Sequence, residues 1–190
     1  HGRETELAGL RTRIEAVAEG RGDVVTLVGE AGLGKTRLLT EALGSAHPNI
    51  VHMHAEPYGA ANSYRVLRDP LRRLFGLAGC KPEEYVDTLR AVVRERAPDQ
   101  EPFLPLVGDV LQLDVPSTPE SDAITPRFRA DRTADVVLDV IAALHDSPLV
   151  FVAEDMHWAD EASAHMLDRI ARMTGTRPWL LISARRDDTG

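Results

Sequence analysis

Gly29-Glu30-Ala31-Gly32-Leu33-Gly34-Lys35-Thr36 is the stretch whose reading decides the fold. It fits G-x-x-x-x-G-K-[ST], the pattern of a phosphate-binding loop. Two glycines, a lysine and a hydroxyl must fall at fixed spacing, and a chain of this length should meet that by chance in roughly one sequence in a hundred or fewer. The flanks agree with the loop. Asp23 to Val28 is a short β-branched run that reads as a buried strand. Thr36 to Leu43 reads as a helix, stopped by Gly44. Strand, glycine loop and helix in succession is the arrangement the pattern requires.

The chemistry follows from that geometry. Glycines let backbone N–H groups curl around a phosphate without side-chain clashes. The helix behind adds unpaired N–H donors and the positive end of its dipole. Lys35 supplies a point charge for the β- and γ-phosphates, and Thr36 a hydroxyl for Mg²⁺. A glycine turn before an ordinary helix would need neither the lysine nor the threonine. The expected ligand is therefore a nucleotide with Mg²⁺, held by Gly29, Glu30, Ala31, Gly32, Leu33, Gly34, Lys35, Thr36 and Arg37.

The chain has 190 residues, 27% of them charged and 43% hydrophobic, as expected of a water-soluble domain with its own core. Its formal net charge of −8 argues against nucleic-acid binding by this segment. The single cysteine, Cys80, excludes an internal disulfide and suits a reducing cytoplasm. No apolar run approaches membrane-spanning length, and no signal peptide is visible. The chain opens on His1-Gly2-Arg3-Glu4 without a Met, and it reads as a fragment of a larger protein.

Residues 3–19 read as an amphipathic helix, with Leu7, Leu10, Ile14 and Val17 at helical spacing and Gly20 ending the run. Residues 49–55 read as a second strand. His52 and His54 share one face of it, but with no third ligand nearby a half-exposed strand is a better reading than a metal site. A helical insertion at about 56–135 follows. Within it, 63–76 looks helical, with Pro70 as a kink or a break. Residues 82–97 read as another helix, and 98–119 as a proline-rich stretch holding a short apolar piece at 107–113. Thr125-Pro126 starts a helix that runs to about Leu144, with Val137, Ile141 and Leu144 inward. Arg127, Arg129 and Arg132 form a basic face of that helix, expected to be solvated. An arginine finger for a neighbouring subunit is the other reading. Residues 148–155 read as a buried strand, 162–173 as a helix, and 179–184 as a strand ending in Arg185-Arg186.

The strand at 148–155 delivers two carboxylates, Glu154 and Asp155, at its C-terminal end, where ligands bind in open parallel sheets. One acid can hold Mg²⁺ through water while the other polarises an attacking water. Glu154 is expected to face Thr36, and Asp155 to lie nearer the γ-phosphate, with the chain turning between them.

Glu154-Asp155-Met156-His157-Trp158-Ala159-Asp160-Glu161-Ala162-Ser163 resembles the extended Walker B signature of STAND ATPases, the signal-transduction branch related to AAA+ proteins. It is similar to the ATPase modules of large LuxR-type regulators and multidomain bacterial adenylate/guanylate cyclases. Gly2-Arg3-Glu4-x-Glu6-Leu7 resembles the N-terminal box, which implies Arg3 near the adenine. Pro57-Tyr58-Gly59 and Tyr64-x-x-Leu67-Arg68 resemble a segment common after the second strand. Leu180-Leu181-Ile182-x-x-Arg185-Arg186-Asp187-Asp188 resembles the sensor strand, whose arginine reaches the γ-phosphate. The pattern favours Arg186, with Arg185 as the alternative. Glu154 stands where many relatives carry Asp. Trp158 is expected to be a packing anchor beneath the loop rather than a ligand-stacking residue, and His157 to orient that loop, with contact to a metal-bound water as its other reading.

The resemblance implies one three-layer α/β P-loop domain over 1–190, with a mostly parallel sheet in the order 2-3-4-1. The lid and winged-helix regions of such a switch are absent from these residues. It also implies slow ATP hydrolysis catalysed by Asp155 and Arg186, Mg²⁺ held by Thr36 and Glu154, self-association through the ATPase domain, and effector and sensor domains elsewhere in the protein. A P-loop kinase of a small molecule is one rival reading. A nucleotide-binding scaffold without turnover is another, and a nucleic-acid-remodelling AAA+ ATPase is disfavoured by the acidic charge.

Overall fold

Four apolar runs become strands: β1 (Asp23–Val28), β2 (Ile50–His54), β3 (Leu149–Glu154) and β4 (Trp179–Arg185). The computed structural model describes residues 3–30, 34–44, 49–57 and 62–185. All four strands run parallel, in the order β1-β4-β3-β2. The expected order is therefore found: β4 lies between the strand that feeds the glycine loop and the strand that carries the two acids. Parallel neighbours need long crossovers, and each connection here carries at least one helix.

Every residue of β3 is buried, as befits an inner strand with both faces covered. β1 corrects the expectation of a buried strand. Val25 and Leu27 pack inward, but Val24 is 42% and Val28 50% exposed. The reason is which face they occupy: Val24 and Val28 alternate with Val25 and Leu27, so they lie on the face of β1 turned away from α1 and α2.

Two helices, α1 (Glu4–Ala18) and α2 (Lys35–Leu43), cover one face of this sheet. Leu10, Ile14 and Val17 of α1 and Leu39, Ala42 and Leu43 of α2 meet Val150, Val152, Leu180 and Ile182. Each large aliphatic side chain so buried contributes about 1.5–3 kcal/mol. On the opposite face Phe151 and Trp179 meet edge to face, ring centroids 5.4 Å apart.

Gly22, just before β1, sits against three backbone carbonyls. A Cβ there would lie 2.2 Å from the oxygen of Thr174, 2.3 Å from that of Arg177 and 2.8 Å from that of Trp179. None of these can rotate aside, because all belong to main chain. Gly22→Ala is expected to destabilise the fold by about 1–3 kcal/mol through overpacking. The check is urea unfolding, where the midpoint should fall at unchanged slope. An unaltered midpoint would contradict the close approach.

The chain divides into two compact units. The first, His1–Pro57 with Ser147–Ala159 and Ile170–Gly190, contains the sheet, α1 and α2. The second, Tyr58–Asp146 with Asp160–Arg169, is helical. It holds α3 (Arg65–Leu74), α4 (Tyr85–Arg96), α5 (Leu104–Leu111), α6 (Pro119–Asp122), α7 (Pro126–Leu144) and the start of α8 (Glu161–Met173).

Several expectations for this second unit change. Pro70 neither ends nor breaks α3, which runs on to Leu74. The proline-rich stretch is more regular than its composition suggests. Pro98–Phe103 forms a 3₁₀ turn that leads directly into α5, with Pro98 and Pro105 in first turns, where the missing N–H has no partner to lose. α7 starts at Thr125-Pro126 as expected and buries Val137 and Ile141, but Leu144 is only partly covered. The basic face of α7 is not simply solvated. Arg129 donates to Asp109 at 2.8 Å, and the Arg132 guanidinium lies 4.0 Å from the Phe103 ring centroid. Asp160 is buried and caps α8. Its Oδ1 accepts from the N–H of Ser163 at 2.9 Å and of Tyr64 at 3.0 Å, and its Oδ2 from the Ser163 hydroxyl at 2.6 Å. That bond holds Tyr64 in its left-handed conformation, φ 60°. Burial, and then the Asp160 charge, raises the Tyr64 phenol above its ordinary pKa. Among the described residues no helix is long and apolar enough to cross a membrane.

Candidate functional site

The site is built at the C-terminal ends of β1, β4 and β3. α2 begins right after Gly34, whose φ of 72° and ψ of 31° are left-handed, a conformation that penalises any Cβ. Among the described residues no side chain caps the first turn of α2, and no acid stands in it. Its amide donors and the positive end of its dipole are left for an anion. α1 contrasts, with Glu4 and Glu6 in its first turn.

The Lys35 ammonium is held at the loop, donating to the carbonyls of Gly29 at 2.7 Å and Glu30 at 2.9 Å. Arg37 is exposed on the first turn of α2. Arg3 sits at the N-cap of α1, and among the described residues no hydrogen bond joins its side chain to Lys35, Thr36 or Glu154. Ala31, Gly32, Leu33 and Arg186 lie outside the described residues, as do Gly2, Tyr58 and Gly59.

Thr36 and Glu154 are brought together. The Thr36 hydroxyl donates to Glu154 Oε2 at 2.6 Å, across 118 positions of sequence. β4 makes this possible by separating β1 from β3, so that α2 lies over the sheet with its start facing the end of β3. The other oxygen of the same carboxylate, Oε1, lies 3.7 Å from Nδ1 of His52. β2 pairs with β3 so that His52 is level with Val152 and His54 with Glu154, which puts both histidines on the face that carries Glu154.

Asp155 leaves the strand. Its φ of 54° and ψ of 31° turn the chain between the two acids, so strand alternation no longer sends them to opposite faces. Asp is among the few residues that tolerate this conformation. The turn is tied to the end of β4 by the Asp155 N–H, which donates to the Ala184 carbonyl at 3.3 Å. The Gly29 N–H donates to the Arg185 carbonyl at 3.4 Å, so the start of the loop is tied to the same strand end. Ala184 is level with Glu154, and Arg185 therefore belongs to the opposite face.

Met156–Trp158 is a single 3₁₀ turn. Trp158 corrects the expectation of a packing anchor, being 42% exposed with its ring 4.9 Å from that of His157. The turn is closed by backbone bonds from the Trp158 N–H to the Asp155 carbonyl and from the Ala159 N–H to the Met156 carbonyl. The sequence reading missed the contact of His52. Its alternation with His54 was visible, but the acid beside it depends on which strand β2 joins.

An α/β domain whose parallel sheet has this order, with a glycine-lysine loop leading from β1 into a helix, is a P-loop NTPase module. More narrowly, the chain belongs to the AAA ATPase domain family, whose model matches residues 1–182. It is similar to an uncharacterized protein of Rhizobium meliloti (strain 1021), 27% identical over 190 residues. That match takes in 97% of this chain and 18% of the relative, so the chain spans less than a fifth of that protein's length. A solved structure described as an inward-facing metal-chelate type ABC transporter is 14% identical at a TM-score of 0.38, over 87% of this chain and 63% of the other. An overlap that loose carries no argument. Membership of the family points to nucleotide binding by the domain. A threonine hydroxyl beside a carboxylate is a pair of hard oxygen donors, which suits Mg²⁺ bound jointly with substrate phosphates.

Proposed function

We propose that this chain binds ATP with Mg²⁺ and hydrolyses it slowly, as the nucleotide switch of a larger bacterial signalling or transcriptional regulator of the STAND type. The observation that carries the reading is the 2.6 Å hydrogen bond from Thr36 to Glu154, which joins the phosphate loop to the acid strand. Gly29 to Arg37 would cradle the phosphates, and Lys35 would turn from its carbonyls toward them. Thr36 and Glu154 would hold Mg²⁺, which when bound neutralises phosphate charge. Asp155 would orient the attacking water. Arg186 is the proposed sensor of the γ-phosphate. The alternation that turns Arg185 away from the face of Glu154 favours it over its neighbour. Arg3 is proposed near the adenine. The effector and sensor domains, self-association through this domain and a cytoplasmic location belong to the same proposal.

Calorimetric titration with ATP and ADP, with and without Mg²⁺, tests it, followed by phosphate release. The expected result is nucleotide binding strengthened by Mg²⁺ and turnover far below the ~10 s⁻¹ typical of enzymes. Absence of binding to either nucleotide overturns the reading. Binding without any phosphate release would leave a scaffold, and rapid transfer to an added acceptor would leave a kinase.

A further inference from the structure

The Glu154 carboxylate is buried, and each of its oxygens faces a different element. Oε2 takes the Thr36 hydroxyl at the start of α2. Oε1 faces Nδ1 of His52 on β2, 3.7 Å away, the separation of an ion pair and longer than a direct hydrogen bond. Glutamate has one more rotatable bond than aspartate, and an unrestrained carboxylate at its end would lose more freedom on meeting a cation. Thr36 alone cannot supply the restraint, because the proposed cation takes the same hydroxyl.

We propose that His52 is a positioning residue for Glu154, holding Oε1 from the β2 side so that the carboxylate stays turned toward Thr36 as the cation is bound. This rests on the Mg²⁺-dependent nucleotide site proposed above. His52 acts on the cation through Glu154. It does not ligate the cation, and it does not touch the nucleotide. Its side chain is 49% exposed, so replacing it removes little packing from the core. Its neighbour on the same face, His54, lies level with Glu154 but has no such contact among the described residues, and it serves as the control.

The test compares the full chain with His52→Ala, His52→Asn and His54→Ala. ATP affinity is measured by calorimetry in EDTA and then across a Mg²⁺ series. In His52→Ala the affinity in EDTA should equal that of the unchanged protein. The Mg²⁺ concentration that half-saturates the gain in affinity should rise about tenfold, the low end of what losing an outer-shell partner costs a metal site. His52→Asn, which keeps a short N–H donor, should recover part of the difference, and His54→Ala should show none. A general loosening of the strand would lower affinity in EDTA as well, and Asn would not rescue it. An unchanged Mg²⁺ midpoint in His52→Ala overturns the proposal while leaving the site standing. Failure of the unchanged protein to bind ATP at all overturns both.

Discussion

Lys35→Ala is expected to lower ATP affinity by at least about an order of magnitude. Lys35 is the sole cation within Gly29 to Thr36. A hydrogen bond to a charged group contributes about 1.5–3 kcal/mol, and about 1.4 kcal/mol is a factor of ten. The uncapped start of α2 would remain as an anion site, so some binding should survive. The fold should survive too, because among the described residues the Lys35 ammonium donates to the carbonyls of Gly29 and Glu30 alone, at the end of β1. Calorimetry with ATP, alongside a urea midpoint to establish folding, is the measurement. Unchanged affinity in a folded variant would remove the loop from its proposed role.

The second large effect separates the two acids. Asp155→Asn should keep ATP binding and slow single-turnover hydrolysis by about 10²–10⁴-fold, the range associated with a positioned general base. The substitution is nearly isosteric, and Asn tolerates the left-handed φ of 54° as Asp does, so the turn itself should persist. Glu154→Gln should behave differently. It keeps an acceptor for the Thr36 hydroxyl but removes the charge, so the Mg²⁺ dependence of ATP binding should weaken first. Paired measurements of affinity, with and without Mg²⁺, and of hydrolysis distinguish the two. Normal hydrolysis in Asp155→Asn would take that residue out of the reaction.

Local chemistry was legible where each residue's part depends on its near neighbours. The loop, the strand before it and the helix after it form one continuous stretch, and Gly34 is left-handed where the pattern needs a glycine. The turn at Asp155 could be anticipated for the same reason, because the β-branched run ends at Val152 and a loop-like Met156-His157-Trp158 follows. The order of strands was also foreseen, through the resemblance carried by Arg185-Arg186, since periodicity alone is silent about which parallel strands are neighbours. Prolines misled the reading at 98–111. Composition reports where an N–H is missing, but whether that matters depends on the position within a turn.

By itself the sequence determined a P-loop α/β module, with its glycine-lysine motif at Gly29 to Thr36 and an acid pair at the end of a buried strand. Those features rest on spacing along one chain and on burial patterns that a single strand or helix displays. Tertiary structure alone decided which side chains meet across the sheet. It placed Thr36 on Glu154 over 118 positions, and it brought His52 to the other side of the same carboxylate through the register of β2 with β3. It left Val24 and Val28 exposed on the face of β1 turned away from α1 and α2, and it left Trp158 at the surface of a three-residue turn. The physical reason is the same in each case. A strand's own pattern says which residues share a face, while the register and neighbour that choose their partners are set by packing between elements distant in sequence.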